Sequence, residues 1–325
     1  MSLVMDCQSH IFPREYAELL LKNRGSLRST GGDGAYLIDY GTQRFRLSLD
    51  DYSPARKLAD MDRCGVDISL LSVNIPNPDL LDEELAVPGA RLCNDAIAEL
   101  CARHPQRFAG IASLPLNDVP AAIDELRRAV HELGLRGVFT PSHINGRPLD
   151  DSRFEPLYAE CAALGVPLVL HPSVPTWGGA IQAHSMIPMF GFMVDTSIAM
   201  LRLILGGAME RHPRLIVVHP HAGGVLPYVM GRVIEQTEVK RRGREHITQS
   251  PRETYRRVYL DTVSPDALAL QYALDFAGAD RLLFGSDHPW VSMDVMLDYA
   301  RTIACSEAEM RKILGENAQK LFGIV

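Results

Sequence analysis

Leu215-Ile216-Val217-Val218-His219-Pro220-His221-Ala222-Gly223-Gly224 is a short apolar run that ends abruptly in imidazoles and glycines. Its branched residues follow one another without polar alternation, which suits a parallel strand buried on both faces. Pro167-Leu168-Val169-Leu170-His171-Pro172 has the same form. Arg281-Leu282-Leu283-Phe284-Gly285-Ser286-Asp287-His288-Pro289 repeats it and ends in a carboxylate. Working outward, the same reading gives eight strands: Leu3–Gln8, Val66–Val73, Phe108–Leu114, Leu135–Thr140, Pro167–His171, Leu215–His219, Val258–Thr262 and Arg281–Ser286.

Helical patterns lie between the strands. Ser53-Pro54 opens one that closes at Gly65, and Asp118 opens another that closes at Gly134. Arg153–Gly165, Met200–His212, Leu226–Val239 and Pro265–Gly278 follow. A capping residue with proline just inside, and glycine just past the end, are helix punctuation. This alternation predicts an α/β chain folded as a closed (β/α)8 TIM barrel, a single domain over residues 1–325. An open doubly wound sheet is the alternative. No G-x-G-x-x-G or G-x-x-x-x-G-K motif follows an early strand, which weakens it.

Two segments depart from the alternation. Residues 14–52 form an insertion after the first strand, with β-like pieces at Tyr36–Tyr40 and Gln43–Leu49. At the carboxyl end of a barrel strand it is placed to cover an active site. Val174–Ser197 is rich in Gly, Pro, Met and aromatics, and reads as a substrate-facing loop that carries Trp177.

Composition excludes several classes. With 46% apolar and 22% charged residues the chain is not disordered. A net charge of -7 gives no general pull toward nucleic acid or an anionic membrane. No apolar run approaches the ~18–20 residues of a membrane span. Met1 to Asp6 lacks a basic segment followed by a long apolar stretch, so no secretory leader is expected. Cys7, Cys64, Cys93, Cys101, Cys161 and Cys305 form no C-x-x-C pair, and are expected as reduced thiols of a cytoplasmic protein.

In such a barrel, chemistry sits at the carboxyl ends of the strands. There the sequence places Gln8-Ser9-His10, His171, His219-Pro220-His221 and Asp287. Imidazoles and a carboxylate converging across the mouth suit zinc or a similar divalent metal, with a position open for water. His104, His131, His212 and His246 fall in helices or polar segments and are expected in solvent. Asp60, Asp62 and Asp67 read as structural. Asp6 either orients the ligand-bearing segments or bonds a neighbouring amide.

Met5-Asp6-Cys7-Gln8-Ser9-His10-Ile11-Phe12-Pro13 resembles the D-x-H-x-H-x-x-P opening of the amidohydrolase superfamily. Further pieces resemble its decarboxylase branch, which contains the aminocarboxymuconate-semialdehyde and gamma-resorcylate decarboxylases. They are Met61 to Asp67, Leu168 to Pro172, His221 to Arg232, Leu283 to Pro289 and Gly315 to Phe322. The resemblance implies that His10, His171 and Asp287 are metal ligands and that His221 is the catalytic acid/base; chemically, either His221 or Asp287 can move the proton. Thr140-Pro141-Ser142 stands where two-metal relatives place a lysine, which implies one ion. Zinc is the expected ion and manganese the alternative. Gln8 departs from the family's histidine. It can offer only an amide oxygen, a weaker ligand, or else a hydrogen bond beside the ligands.

The resulting expectation is a metal-dependent decarboxylase of a small unsaturated or aromatic carboxylic acid. The alternatives are a metal-dependent hydrolase of a lactone, ester or amide, and a non-catalytic small-molecule binder. An acid substrate calls for a guanidinium. Arg46 in the insertion and Arg232 are the candidates, with Trp177 as an aromatic contact. Arg232 lies eleven residues beyond His221, on a helix expected to begin near Ala222, about 16 Å along its axis. The resemblance implies a homodimer in which Arg232 enters the neighbouring subunit's site.

Overall fold

The computed structural model describes residues 3–324; Met1, Ser2 and Val325 lie outside the described residues. All eight expected strands form: β1 (Met5–Ile11), β2 (Ile68–Val73), β3 (Phe108–Gly110), β4 (Val138–Pro141), β5 (Leu168–His171), β6 (Val217–His219), β7 (Tyr259–Asp261) and β8 (Leu282–Leu283). They pair in parallel as two arcs, β1-β2-β3 and β4-β5-β6-β7-β8.

Both gaps between the arcs are bridged. Arg136 N–H donates to Gly110 O and Phe139 N–H to Ala112 O, each at 2.8 Å. At the other seam Cys7 N–H donates to Phe284 O, Asp287 N–H to Gln8 O and His10 N–H to His288 O, each at 2.8 Å. The ring is closed, as the alternation predicts.

The continuous apolar runs serve two faces. Met5, Cys7, Ile68, Leu70, Phe139, Val169, Val218 and Leu283 fill the barrel interior. Val138, Leu168, Leu170, Val217 and Leu260 pack outward against helices. In β1 the register slips between Asp6 and Ser9. Cys7 therefore faces the interior and Ile11 the helices, although both are odd-numbered. The bulge re-aims the strand and turns His10 toward the barrel mouth.

The insertion forms a helix (Arg14–Leu20) and a three-stranded antiparallel sheet. Its second and third strands, Ala35–Asp39 and Arg44–Ser48, are the expected β-like pieces. The first, Arg28–Gly32, escaped the pattern reading because it contains no apolar residue. Gly31 is obligatory there, since a Cβ would lie 2.3 Å from Ala35 O.

Several helix expectations need correction. Ser53 makes no capping hydrogen bond from its side chain, although the helix runs Pro54–Cys64 and ends on left-handed Gly65. Asp118 does cap, accepting from Ala121 N–H at 3.1 Å. Met200–His212 is in fact the end of a helix over Phe192–Leu205 and a short one over Ala208–Arg211, broken at left-handed Gly207. The helix after His221 begins at Leu226, not near Ala222. The 21-residue helix Glu83–Arg103 was not anticipated, because Pro88 and Gly89 interrupt its pattern.

Ala183–Leu205 is long and apolar enough, by length and composition, to cross a membrane, contrary to the sequence expectation. Half of its apolar window is buried within the fold, and Phe192 and Met193 line the cavity described below. Its second half packs Ala199, Met200, Leu203 and Ile204 into the main apolar core.

The loop after β2 is buried although polar. Asn74 Nδ2 donates to Tyr52 Oη at 3.1 Å, while Asp79 Oδ1 has no partner among the described residues. Burial pushes the Asp79 carboxyl up to about 8. The folded state therefore holds a proton that the unfolded chain releases near pH 4, and stability is lost as pH rises from about 4 to about 8. Asp79→Asn should stabilise the protein by about 1–3 kcal/mol at pH 8. Denaturant unfolding at pH 8 and pH 4 checks this: the gain should vanish at the lower pH.

Candidate metal centre and active site

The carboxyl ends of β1 and β5, and the loop after β8, bring His10, His171 and Asp287 together. One donor atom from each lies within 4.8 Å of the others. His10 Nε2 stands 3.0 Å from Asp287 Oδ1. The far nitrogens are occupied. His10 Nδ1 meets Ser72 Oγ at 2.8 Å, and His171 Nδ1 donates to Pro172 O at 3.0 Å. A carbonyl can only accept, so the His171 proton sits on Nδ1 and Nε2 keeps its lone pair for the site. Burial lowers both imidazoles to about 3, so both are neutral at neutral pH. Neutral imidazole is the metal-binding form.

Asp287 has left-handed backbone, φ 59°. Asp6 holds the loop that presents it. Its carboxylate accepts from Ser286 N–H at 2.9 Å, Ser286 Oγ–H at 2.6 Å and Gln8 N–H at 3.2 Å. Asp6 thus binds the amides on both sides of the seam. Gln8 is buried beside Asp287. Its Nε2 is near enough to favour the carboxylate form, yet makes no hydrogen bond of good geometry.

His221 opens the tight run His221-Ala222-Gly223-Gly224 that follows β6. His221, Ala222, Gly223 and Gly224 all have positive φ, at 57°, 54°, 81° and 59°. A Cβ on Gly223 would meet Tyr255 Oη at 2.6 Å, and one on Gly224 would meet Met193 O at 2.5 Å. Only glycines let the chain turn this tightly against its neighbours. Asp261 Oδ1 accepts from Ala222 N–H at 3.3 Å and Val263 N–H at 3.0 Å, and secures the turn. Burial lowers His221 to about 4, and its Nδ1 has no partner. His219, on the same parity as outward-facing Val217, bonds Tyr255 Oη at 2.8 Å and does not line the cavity.

His171, His221 and Asp287 line one cavity of about 820 Å³. Its walls are mainly apolar and include Phe45, Phe192, Val225 and Trp290. Phe45 and Trp290 meet edge to face at 5.5 Å, so the segment 14–52 contributes to the cavity wall. No Lys or Arg lines the cavity among the described residues.

Three sequence candidates sit elsewhere. Arg46 is exposed and does not line the cavity, because strand alternation turns Phe45 inward and its neighbour out. Trp177 Nε1–H donates to Asp195 Oδ1 at 3.0 Å, and Asp195 also accepts from Ser142. That tie anchors the loop and withdraws the indole from the cavity wall, where Trp290 stands instead. Arg232 is exposed and paired at 2.8 Å with Oε2 of Glu235, the residue just past the end of its helix. Phe45 and Trp290 were missed. Their only signal was position, on the insertion and just past Asp287.

The donor set fits a divalent ion. Two neutral imidazoles and a carboxylate point inward, an amide lies beside them, and positions for substrate stay open.

A family model described as Amidohydrolase matches residues 5–324. A gamma-resorcylate decarboxylase from Rhizobium sp. (strain MTP-10005) is 32% identical over 328 residues, covering 94% of this chain and 98% of that protein. The crystal structure of 5-carboxyvanillate decarboxylase from Sphingomonas paucimobilis superposes with TM-score 0.88 at 26% identity, covering both chains fully. A dihydroxybenzoic acid decarboxylase from Polaromonas sp. JS666, solved with bound manganese and 2-nitroresorcinol, superposes with TM-score 0.84 at 28% identity, covering 100% of this chain and 98% of that one.

Gln8→Glu would set a second carboxylate beside Asp287. With Gln8 in the ligand set, Mn²⁺ binding to metal-stripped protein should tighten by about 10–100-fold, the scale of changes around metal sites. Isothermal titration measures it, and an unchanged affinity would put Gln8 outside the ligand set.

Proposed function

Because the chain belongs to the amidohydrolase family, matched over residues 5–324, we propose that it is a metal-dependent decarboxylase of a small aromatic acid with a hydroxyl beside the carboxyl group. The observation that carries this reading is the cluster of His10, His171 and Asp287 at the floor of an apolar cavity, with His221 facing the same space. The named relatives act on aromatic acids of this kind. No observation favours the hydrolytic or binding-only alternatives.

His10, His171 and Asp287 would hold one divalent ion, with the Gln8 amide oxygen as a further donor. When bound, the ion supplies positive charge that draws the carboxylate and the neighbouring oxygen. Manganese suits the oxygen-bearing part of this set, and a manganese-bound relative supports it. Phe45 and Trp290 flank the ring and exclude water. When the carbon–carbon bond breaks, its electron pair stays on the ring carbon and CO₂ leaves. That carbon then needs a proton, and His221 and Asp287 are the cavity groups able to hold and move one.

Among the described residues the cavity has no Lys or Arg of its own, so a cation for the carboxylate would come from another subunit, and Arg232 is the candidate. Its helix, Leu226–Ile234, also carries Tyr228, 83% exposed at the cavity mouth, and Leu268 nearby is 82% exposed. Apolar side chains gathered at a rim suit burial by another chain. The proposal extends to a homodimer in which each Arg232 reaches its partner's cavity. The six free cysteines fit a reducing, cytoplasmic setting.

Manganese-loaded protein should release CO₂ from 2,6-dihydroxybenzoate or a related hydroxybenzoate. His221→Asn should lower kcat by about 10²–10⁴-fold and leave bound metal intact. Metal analysis beside the CO₂ assay checks both, and loss of metal would make His221 a ligand instead.

Mixing inactive Arg232→Ala with inactive His221→Asn tests the dimer. If Arg232 acts in the partner's site, exchange should restore about a quarter of wild-type activity, since half the dimers are mixed and each has one intact site. No recovery despite demonstrated exchange would remove Arg232 from the site.

A further inference from the structure

Lys57 has no exposed surface, although it lies on a surface helix of the barrel, Pro54–Cys64. A buried ammonium is costly unless its protons are taken up. Here Nζ donates to Ser9 Oγ at 2.6 Å and to His288 Nδ1 at 2.9 Å, with His288 O at 3.5 Å. Accepting at Nδ1 leaves the His288 proton on Nε2, which donates to Asp60 Oδ2 at 3.1 Å. Asp60 is held in turn by Arg63 Nη2 at 3.0 Å. The acidic groups around the ammonium are Asp6, Asp60 and Asp287.

The two acceptors occupy telling positions. Ser9 lies between Gln8 and His10, and His288 directly follows Asp287. They also face each other as a parallel register pair across the seam between β1 and the segment after β8. An apolar side chain would suffice to dock the helix. A cation with three donors does something else, because it sets the distance between two specific main-chain segments. Asp6 performs the matching task one residue before Ser9 and two before His288, binding Gln8 N–H and Ser286.

We propose that Lys57 is a positioning residue of the metal centre: its buried ammonium fixes the gap between Ser9 and His288, and so the separation of the His10 and Asp287 donors. The inference rests on the reading of His10, His171 and Asp287 as metal ligands. Lys57 touches neither ion nor substrate, and acts through the two segments that present the ligands.

The test is Mn²⁺ binding by isothermal titration to full-length, metal-stripped protein, with thermal unfolding of the metal-free form alongside. Lys57→Met keeps the length of the side chain and removes its donors. It should weaken Mn²⁺ binding by about 10–100-fold. Lys57→Arg, which can still serve both acceptors, should recover most of the affinity. A Kd within twofold of wild type in Lys57→Met, whatever its Tm, would overturn the proposal. So would equal weakening in the Met and Arg variants, which would point to packing rather than hydrogen bonding. If Lys57→Met does not fold, Ser9→Ala decides: it removes one acceptor and should weaken binding several-fold, and an unchanged Kd overturns the proposal. Wild-type protein that binds no Mn²⁺ would sink the metal-centre reading itself, a result distinct from tight binding that is indifferent to Lys57.

Discussion

The seam between β1 and the segment after β8 is the constraint on which the site depends. Three backbone hydrogen bonds at 2.8 Å close it, from Cys7, His10 and Asp287. Two buried side chains of opposite charge bracket it: Asp6 ties residues 8 and 286, and Lys57 ties residues 9 and 288. Closing the barrel and assembling the His10, His171 and Asp287 cluster are therefore one event. His10 and Asp287 face each other at 3.0 Å because their strands are neighbours in the ring, although they stand at opposite ends of the chain.

The site is otherwise built from departures from regular geometry. The register slip in β1 turns His10 inward, positive φ presents Asp287, and four positive-φ residues swing His221 back over the mouth. Regular strands alone would send alternate side chains into the filled barrel interior. The last two departures have local supports: Asp6 for the Asp287 loop, and Asp261 for the His221 turn.

Much of this was legible in the sequence. Apolar runs such as Leu215–Val218 signal buried parallel strands because period-two alternation is missing, and the histidines at their ends mark the mouth. What escaped depends on direction or on distant partners. Arg46 and Phe45 are adjacent, and only the pairing of the insertion's strands decides which faces inward. Trp177 and Trp290 both follow strand ends, and the bond to Asp195 settles which one is withdrawn. Lys57 reads as an ordinary polar position on a helix, since its acceptors lie 48 and 231 residues away. Helix Glu83–Arg103 was hidden by Pro88 and Gly89, whose cost the packing of that helix offsets.

Closure at the β1–β8 seam also imposes an order on biosynthesis. A nascent chain can pair β1 with β2 early, but the other edge of β1 has no partner until the last barrel strand emerges from the ribosome. His10 and Asp287 are separated by 277 residues, so the cluster that they form with His171 is completed only at the end of folding. Chains arrested before β8 would carry an exposed strand edge and lack Asp287, which marks them both as incomplete and as prone to aggregation.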